Sequence, residues 1–283
     1  MKRVALITGT SSGIGLAVAV DAARAGYQTI ATMRDTARSA ALLTAAEAAG
    51  VEVEVRRLDV VDRASVAGTV SEVVAEHGRL DVVVNNAGQG HVGTVEVDSV
   101  DDFRRMMEIN FFGVVQVTKA VMPHLRESGG RLVTVSSVGG VIGQPFNEAY
   151  CAAKFAVEGM MESLAPLAAA HGVRITVVEP GAVRSSFVAN AGRPGGADVS
   201  DAGASAGFGI YAEELRHYLR RASAAFSQAQ TPDEVAGRVM EVLASDAPPF
   251  RLQTSRSARE FVALKLADVD GESVTGATAR WLS

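Results

Sequence analysis

A short apolar run, Val4 to Ile7, stops at Thr8-Gly9-Thr10-Ser11-Ser12-Gly13-Ile14-Gly15, and an alanine-rich segment, Leu16 to Ala25, follows before Gly26. The run has the length and character of a buried parallel strand, and the alanine-rich segment closed by glycine reads as a helix. Few ligands suit a strand that turns through glycines straight into a helix. Bare glycines let backbone amides approach a pyrophosphate, and the helix behind them directs the positive end of its dipole at the charge. Gly9, Ser11, Ser12, Gly13, Ile14 and Gly15 are therefore candidate ligands of a dinucleotide.

The same alternation recurs along the chain. Tyr27 to Thr32, Val51 to Leu58, Leu80 to Val84, Arg131 to Ser136 and Val173 to Val178 read as further strands, and Pro248 to Leu252 leads toward a seventh. Between them, helices are predicted over Ala37 to Ala49, from Asp62 to about His77, over a long stretch from about Val100 to Arg126 that contains Asn110, and from Tyr150 to about Ala170. Pro166 should kink or break the last of these. Thr231-Pro232-Asp233-Glu234 opens another helix, through about Ala244, and Ser257 to Asp268 reads as helical. Short apolar strands alternating with helices imply an α/β fold: a doubly wound, Rossmann-type parallel sheet of about seven strands, covered by helices on both faces. Ligands of such sheets bind beyond the carboxyl ends of the strands, where the glycine turn, Asp59-Val60, Asn86-Ala87-Gly88, Ser137 and Pro180-Gly181 all fall.

With 283 residues, 48% hydrophobic and 21% charged, the chain can bury a large core, and no linker divides it, so residues 1–283 read as one domain. A net charge of −5 argues against nucleic-acid binding. Cys151 is the single cysteine, which excludes an internal disulfide and suits a reducing compartment. Met1-Lys2-Arg3 resembles the charged head of a signal peptide, but the apolar run after it ends too soon, and no other run is long enough to span a bilayer. A cytoplasmic protein is expected.

Tyr150 and Lys154 lie four positions apart, on one face of a helix. A phenol with a pKa of about 10 exchanges protons poorly at neutrality, and lowering it to about 7 takes roughly 4 kcal/mol, which a nearby ammonium in a partly dry cleft can supply. Cys151 reads as a small buried helix residue, not as a nucleophile.

Taken together, the glycine turn from Thr8 to Gly15, Asn85-Asn86-Ala87-Gly88, Asn110, Ser137, Tyr150 with Lys154, and Pro180-Gly181 resemble the short-chain dehydrogenase/reductase family in order and spacing. The resemblance covers roughly residues 3 to 185. It implies that Tyr150 is the general acid/base, that Ser137 steadies the substrate oxygen, that Lys154 bonds the nicotinamide ribose and lowers the tyrosine's pKa, and that Asn110 holds a water linking Lys154 to solvent. It also implies that Asp59 accepts from the adenine amino group, and that Val60, Asn86, Ala87, Gly88, Pro180, Gly181, Val183 and Ser185 line the cofactor. Read from the residues alone, Ser137 is equally a strand-end serine, Asn110 a stabiliser of an irregular helix, and Asp59 a capping residue.

Cofactor choice turns on Thr32-Met33-Arg34-Asp35. Arg34 suits a 2′-phosphate, whereas the acid of an NAD enzyme would stand where Met33 does, so NADP(H) is favoured over NAD(H). From Ser137 to Phe187 the chain is similar to the estradiol 17β-dehydrogenase type 1 and retinol dehydrogenase branch of the family, which implies a small lipophilic alcohol or carbonyl substrate, with Gln144 at its site where the branch tends to be apolar. The expected activity is an NADP(H)-dependent alcohol dehydrogenase or carbonyl reductase. The alternative is a regulatory protein that senses NAD(P) on the same fold. The region from about 187 to 230, with a mobile loop over Ala189 to Gly209 and helical spacing from Ile210 to Phe226, is expected to cover the substrate. The family resemblance further implies a homodimer or homotetramer, with Phe155, Met160 and Met161 at a subunit contact.

Overall fold

The computed structural model describes residues 2–185, 206–227, 229–266 and Arg280. Seven strands, β1 (Val4–Thr8), β2 (Gln28–Met33), β3 (Glu54–Arg57), β4 (Val82–Asn85), β5 (Arg131–Val135), β6 (Arg174–Glu179) and β7 (Arg251–Gln253), form one parallel sheet in the order β3-β2-β1-β4-β5-β6-β7. Inside it, β1 pairs with β2 (Leu6 opposite Ile30) on one side and with the central strand β4 (Leu6 opposite Val83) on the other. The chain thus reverses its winding direction between β1 and β4, and the crevice this opens at the strands' carboxyl ends is where such sheets bind ligands.

Both faces are covered, so the central strands β1 and β4 are buried along their whole length and read as near-continuous apolar runs. Ala5 and Ile7 of β1 pack into a core with α1 (Gly13–Arg24) and α8 (Pro232–Ala244), while Val4 and Leu6 pack into a second core with α3 (Arg63–His77), α5 (Gly113–Ser128) and α6 (Glu148–Ala169). Helix ends follow local chemistry. Asp62 accepts from the amides of Ala64 (2.9 Å) and Ser65 (3.2 Å) to start α3, which Gly78 ends in the left-handed region at φ 72°. Thr231 and Glu234 form a capping box at the start of α8.

Three predicted elements differ. The helix expected over Ala37 to Ala49 begins later, as α2 (Ala40–Ala48), because Asp35 accepts from the Ala37 amide at 3.1 Å and caps a separate 3₁₀ turn, Thr36–Arg38. The long helix from Val100 is interrupted: α4 (Val100–Met107) passes through a π turn, Glu108–Phe112, before α5. Pro166, in contrast, breaks nothing, and α6 runs on to Ala169. Glu162, whose carbonyl loses its amide partner there, is exposed together with Pro166, so the unpaired group is on the hydrated side of the helix. Beyond the sheet stand α7 (Ala212–Ser227), within the predicted cover, and α9 (Arg256–Leu266). Residues 186–205, which hold most of the loop predicted to be mobile, lie outside the described residues. No helix among the described residues is long and apolar enough to cross a membrane.

Candidate active site

The glycine turn is held from two sides. Gly9 and Thr10 donate their amides to the Thr32 carbonyl of β2 at 2.9 and 3.1 Å, and the Thr8 hydroxyl accepts from the amides of Asn86 and Ala87, both at 3.0 Å. The Asn86 side chain returns the contact, donating to the carbonyls of Thr8 (2.9 Å) and Gly9 (3.0 Å). A Cβ at Gly9, where φ is 73°, would come within 2.8 Å of the Ala87 backbone, so this close approach requires glycine. The turn then enters α1 at Gly13, with Ser185, from the loop after β6, lying 3.3 Å from where a Cβ on Gly13 would be. Two loops thus converge over the positive end of α1.

Asn110 is fully buried inside the π turn. Its Nδ2 donates to the carbonyls of Gln89 (3.0 Å) and Met106 (3.2 Å), and its Oδ1 accepts from the Gln89 amide at 3.0 Å. The extra residue in the turn carries this side chain to the loop after β4, so that a Cβ at Gly88 would meet Asn110 Oδ1 at 2.8 Å and Lys154 Nζ at 3.7 Å. Lys154 is buried and donates to the Val135 carbonyl at 3.0 Å, a single hydrogen bond for three ammonium protons. A buried ammonium with donors to spare, beside a glycine-lined crevice at the switch point, fits the ribose hydroxyls of a dinucleotide. The residues present therefore suit a nicotinamide cofactor.

Ser137 begins a 3₁₀ turn, Val138–Gly140, and accepts from the Gly139 amide at 3.0 Å. The Ser137 hydroxyl acts on the Tyr150 phenol, and Lys154 Nζ stands 5.9 Å from the Tyr150 ring centre. Gln144 joins this group: a Cβ at Gly139 would touch its amide and the Tyr150 ring at 3.3 Å each. Burial raises the phenol well above its ordinary value, and Ser137, not Lys154, is the group that opposes the rise. Lys154 is itself lowered by burial to about 8, with Glu158 opposing. Burial likewise pushes the Cys151 thiol to about 11, so it stays protonated at neutrality and is no nucleophile.

At the adenosine end, Arg34 follows β2 and is exposed, with no ion-pair partner among the described residues, while the carboxylate of neighbouring Asp35 is turned to the Ala37 amide. Asp59 accepts from the Val61 amide at 3.2 Å, the turn-forming bond of the plainer reading, and Val60 packs against Gly113. Pro180 accepts from the Val138 amide at 3.0 Å, and Val183 pairs with Gln230, which brings Gly181 to Ser185 across the crevice.

Two features escaped the sequence. One is a buried His91–Asp98 pair (Nε2 to Oδ1, 2.9 Å) near Glu148, which accepts from Thr94 at 2.9 Å; nothing in its spacing sets it apart from ordinary loop residues. The other is Glu158, four residues beyond Lys154 and eight beyond Tyr150, a spacing that would have revealed it. One expectation is also corrected: Met161 is wholly buried in the core, so only Phe155 and the half-buried Met160 remain on the outward side of α6.

A profile of the short chain dehydrogenase family matches residues 3–194. Retinol dehydrogenase 8 of Bos taurus is 40% identical over 282 residues, 95% of this chain and 86% of the relative. A 17-beta-hydroxysteroid dehydrogenase type 1 of Mus musculus is 36% identical over 283 residues, 97% of this chain and 80% of the relative. Among solved structures, an alcohol dehydrogenase from the archaeon Thermococcus sibiricus, complexed with 5-hydroxy-NADP, superposes with a TM-score of 0.70 at 28% identity, covering 89% of this chain and 96% of that one.

Proposed function

This chain belongs to the short chain dehydrogenase family, and from that premise we propose that it interconverts an alcohol with a ketone or aldehyde on a lipophilic substrate, using NADP(H), with Tyr150 as general acid/base. The coarser statement needs no proposal: the protein is an oxidoreductase of CH–OH groups that uses a nicotinamide dinucleotide. The observation that carries the finer reading is the buried Lys154, one turn from Tyr150 on α6, which bonds only the Val135 carbonyl and keeps donors in reserve beside Gly88.

When bound, the nicotinamide supplies or accepts hydride. Ser137 and Tyr150 then hold the substrate oxygen between two hydroxyls, and Tyr150 gives up its proton as negative charge develops there. A phenol kept protonated by burial is in the state that donation to a carbonyl requires. Lys154 would bond the ribose, and Asn110 fixes the loop of Gly88 and Gln89 against it. Gly9, Ser11, Ser12, Gly13, Ile14, Gly15 and Ser185 would hold the pyrophosphate, Asp59 and Val60 the adenine, Asn86, Ala87 and Gly88 the adenosine side of the crevice, and Pro180, Gly181 and Val183 the nicotinamide side. Exposed Arg34 supports NADP(H) over NAD(H).

A lipophilic substrate is supported by the wall that α7 forms with the loops beside Tyr150. Leu215, Phe208, Val92 and Phe146 form one buried cluster, and Tyr218 Oη accepts from Asn147 Nδ2 at 2.6 Å. The activities named in the two curated relatives, on retinol and hydroxysteroids, agree with such a wall. We read the chain as one domain with its substrate cover at about 187–230, cytoplasmic, and a homodimer or homotetramer; exposed Phe112, Phe155 and Leu167 support the last point.

Tyr150→Phe tests the mechanism. NADPH consumption with a panel of apolar ketones and aldehydes should fall by about 10²–10⁴, while NADPH binding, followed by fluorescence, persists. Near-normal turnover would remove Tyr150 from the chemistry.

A further inference from the structure

Tyr150, Lys154 and Glu158 recur every four residues and so share one stripe of α6. Glu158 is 4% exposed. Charged and polar groups from the ends of β5, β6 and β7 lie close to it. Arg251 of β7 lies 3.5 Å from Glu158 and 3.6 Å from the fully buried Glu179 at the end of β6, and reaches Glu162 on the surface of α6 at 2.9 Å. Gln253 Nε2 donates to Glu179 at 2.8 Å. Ser136, at the end of β5, closes the site: a Cβ at Gly140 would be 2.5 Å from its Oγ and 3.2 Å from Glu158 Oε1. The result is a row of alternating charge, Lys154, Glu158, Arg251 and Glu179, that starts one turn from Tyr150 on α6 and ends at the buried Glu179.

A buried ammonium bonded to one main-chain carbonyl is poorly compensated, and a carboxylate one turn away is the nearest remedy. We propose that Glu158 is a positioning residue that keeps Lys154 protonated, and that Arg251 and Glu179 hold Glu158 in that role from behind. The inference rests on the reading of Lys154 as part of the catalytic machinery. If Glu158 merely ties α6 to β6 and β7, replacing it will change the stability of the fold without changing the titration of Lys154.

The test observes the lysine itself. The chain has four lysines, Lys2, Lys119, Lys154 and Lys265, so ¹³Cε-lysine NMR resolves them, and the signal lost in Lys154→Met identifies the one required. In Glu158→Gln the Lys154 midpoint should fall by about one pH unit, and in Glu158→Met by a similar amount, while Glu162→Gln at the exposed end leaves it in place. A folded Glu158 variant with an unchanged midpoint overturns the proposal. Should both Glu158 variants fail to fold, the wild-type Lys154 signal must still show a second inflection where Glu158 titrates, and a single inflection overturns it equally. This readout needs no turnover. Retained activity in Tyr150→Phe would thus defeat the proposed function while leaving the lysine titration to decide this point separately.

Discussion

Asn86 fills the space that a side chain at Gly15 would need: a Cβ there would overlap its Nδ2 and the Gly9 carbonyl. Because that same amide holds the carbonyls of Thr8 and Gly9 in place, the two positions make separable predictions. Gly15→Ala pushes the turn out of shape, and NADPH affinity measured by calorimetry should drop by about tenfold or more, roughly 1.4 kcal/mol. Asn86→Ala strands two partly buried carbonyls and should lower unfolding stability by about 1–3 kcal/mol in a denaturant titration.

Arg34 tests the cofactor choice. A guanidinium bonded to a 2′-phosphate contributes about 1.5–3 kcal/mol, so Arg34→Ala should raise KM for NADPH by about tenfold or more and leave KM for NADH alone. An unchanged NADPH value would return the choice to NAD(H).

Ser137 opposes the burial that raises the Tyr150 phenol. Removing it in Ser137→Ala should raise the phenol further, so the basic midpoint of the pH–rate profile for alcohol oxidation should move up while turnover falls by about 10²-fold. A midpoint that stays put or moves down contradicts the assignment.

Glu158 links the site to stability. Burial raises its carboxyl from 4.5 to about 7. Between those values the folded protein retains a proton that the unfolded chain has released, so this group's contribution to stability falls as pH rises through that window. At about 1.4 kcal/mol per unit, the stability of wild type relative to Glu158→Gln should decline by up to about 3 kcal/mol from pH 4.5 to 7. Thermal melts across that range check it; a flat or rising difference would mean the carboxyl is not held protonated.

Phe146 combines packing with strain. It sits at φ 59°, a region unfavourable for a bulky side chain, with its ring 5.5 Å from Tyr218 and 6.1 Å from Phe208. Phe146→Ala should cost about 3–5 kcal/mol. Phe146→Gly gives up the same packing but relieves about 1–3 kcal/mol of strain, so denaturant melts should place it level with the alanine variant or above it.

The sheet could be read from the sequence because each central strand is a short apolar run closed by a turn residue, and the order of runs and helices leaves little choice of topology. The site was legible where chemistry depends on local spacing: Tyr150 with Lys154 on one helix face, and the glycines before α1. Features depending on contacts between distant segments were hidden. The π turn around Asn110 has no marker in the periodicity of Val100 to Arg126 and is supported by the main chain of Gln89, from another loop. The effect of burial on Tyr150 and Lys154 was missed for a similar reason, since spacing reports which groups are near and not how much water they have lost. The spacing of Glu158 from Lys154 is local and legible, but its link to Glu179 and Arg251 depends on β6 and β7.

Val183 and Gln230 pair at the two chain ends that bound the proposed substrate cover, and the Gln230 side chain is tied on to Thr254. The chain passes this pairing as it leaves β6 and passes it again just before α8. Such an excursion can be lengthened, shortened or exchanged without disturbing the strands beneath, so a descendant of this protein could take up a new substrate while inheriting its nucleotide crevice intact.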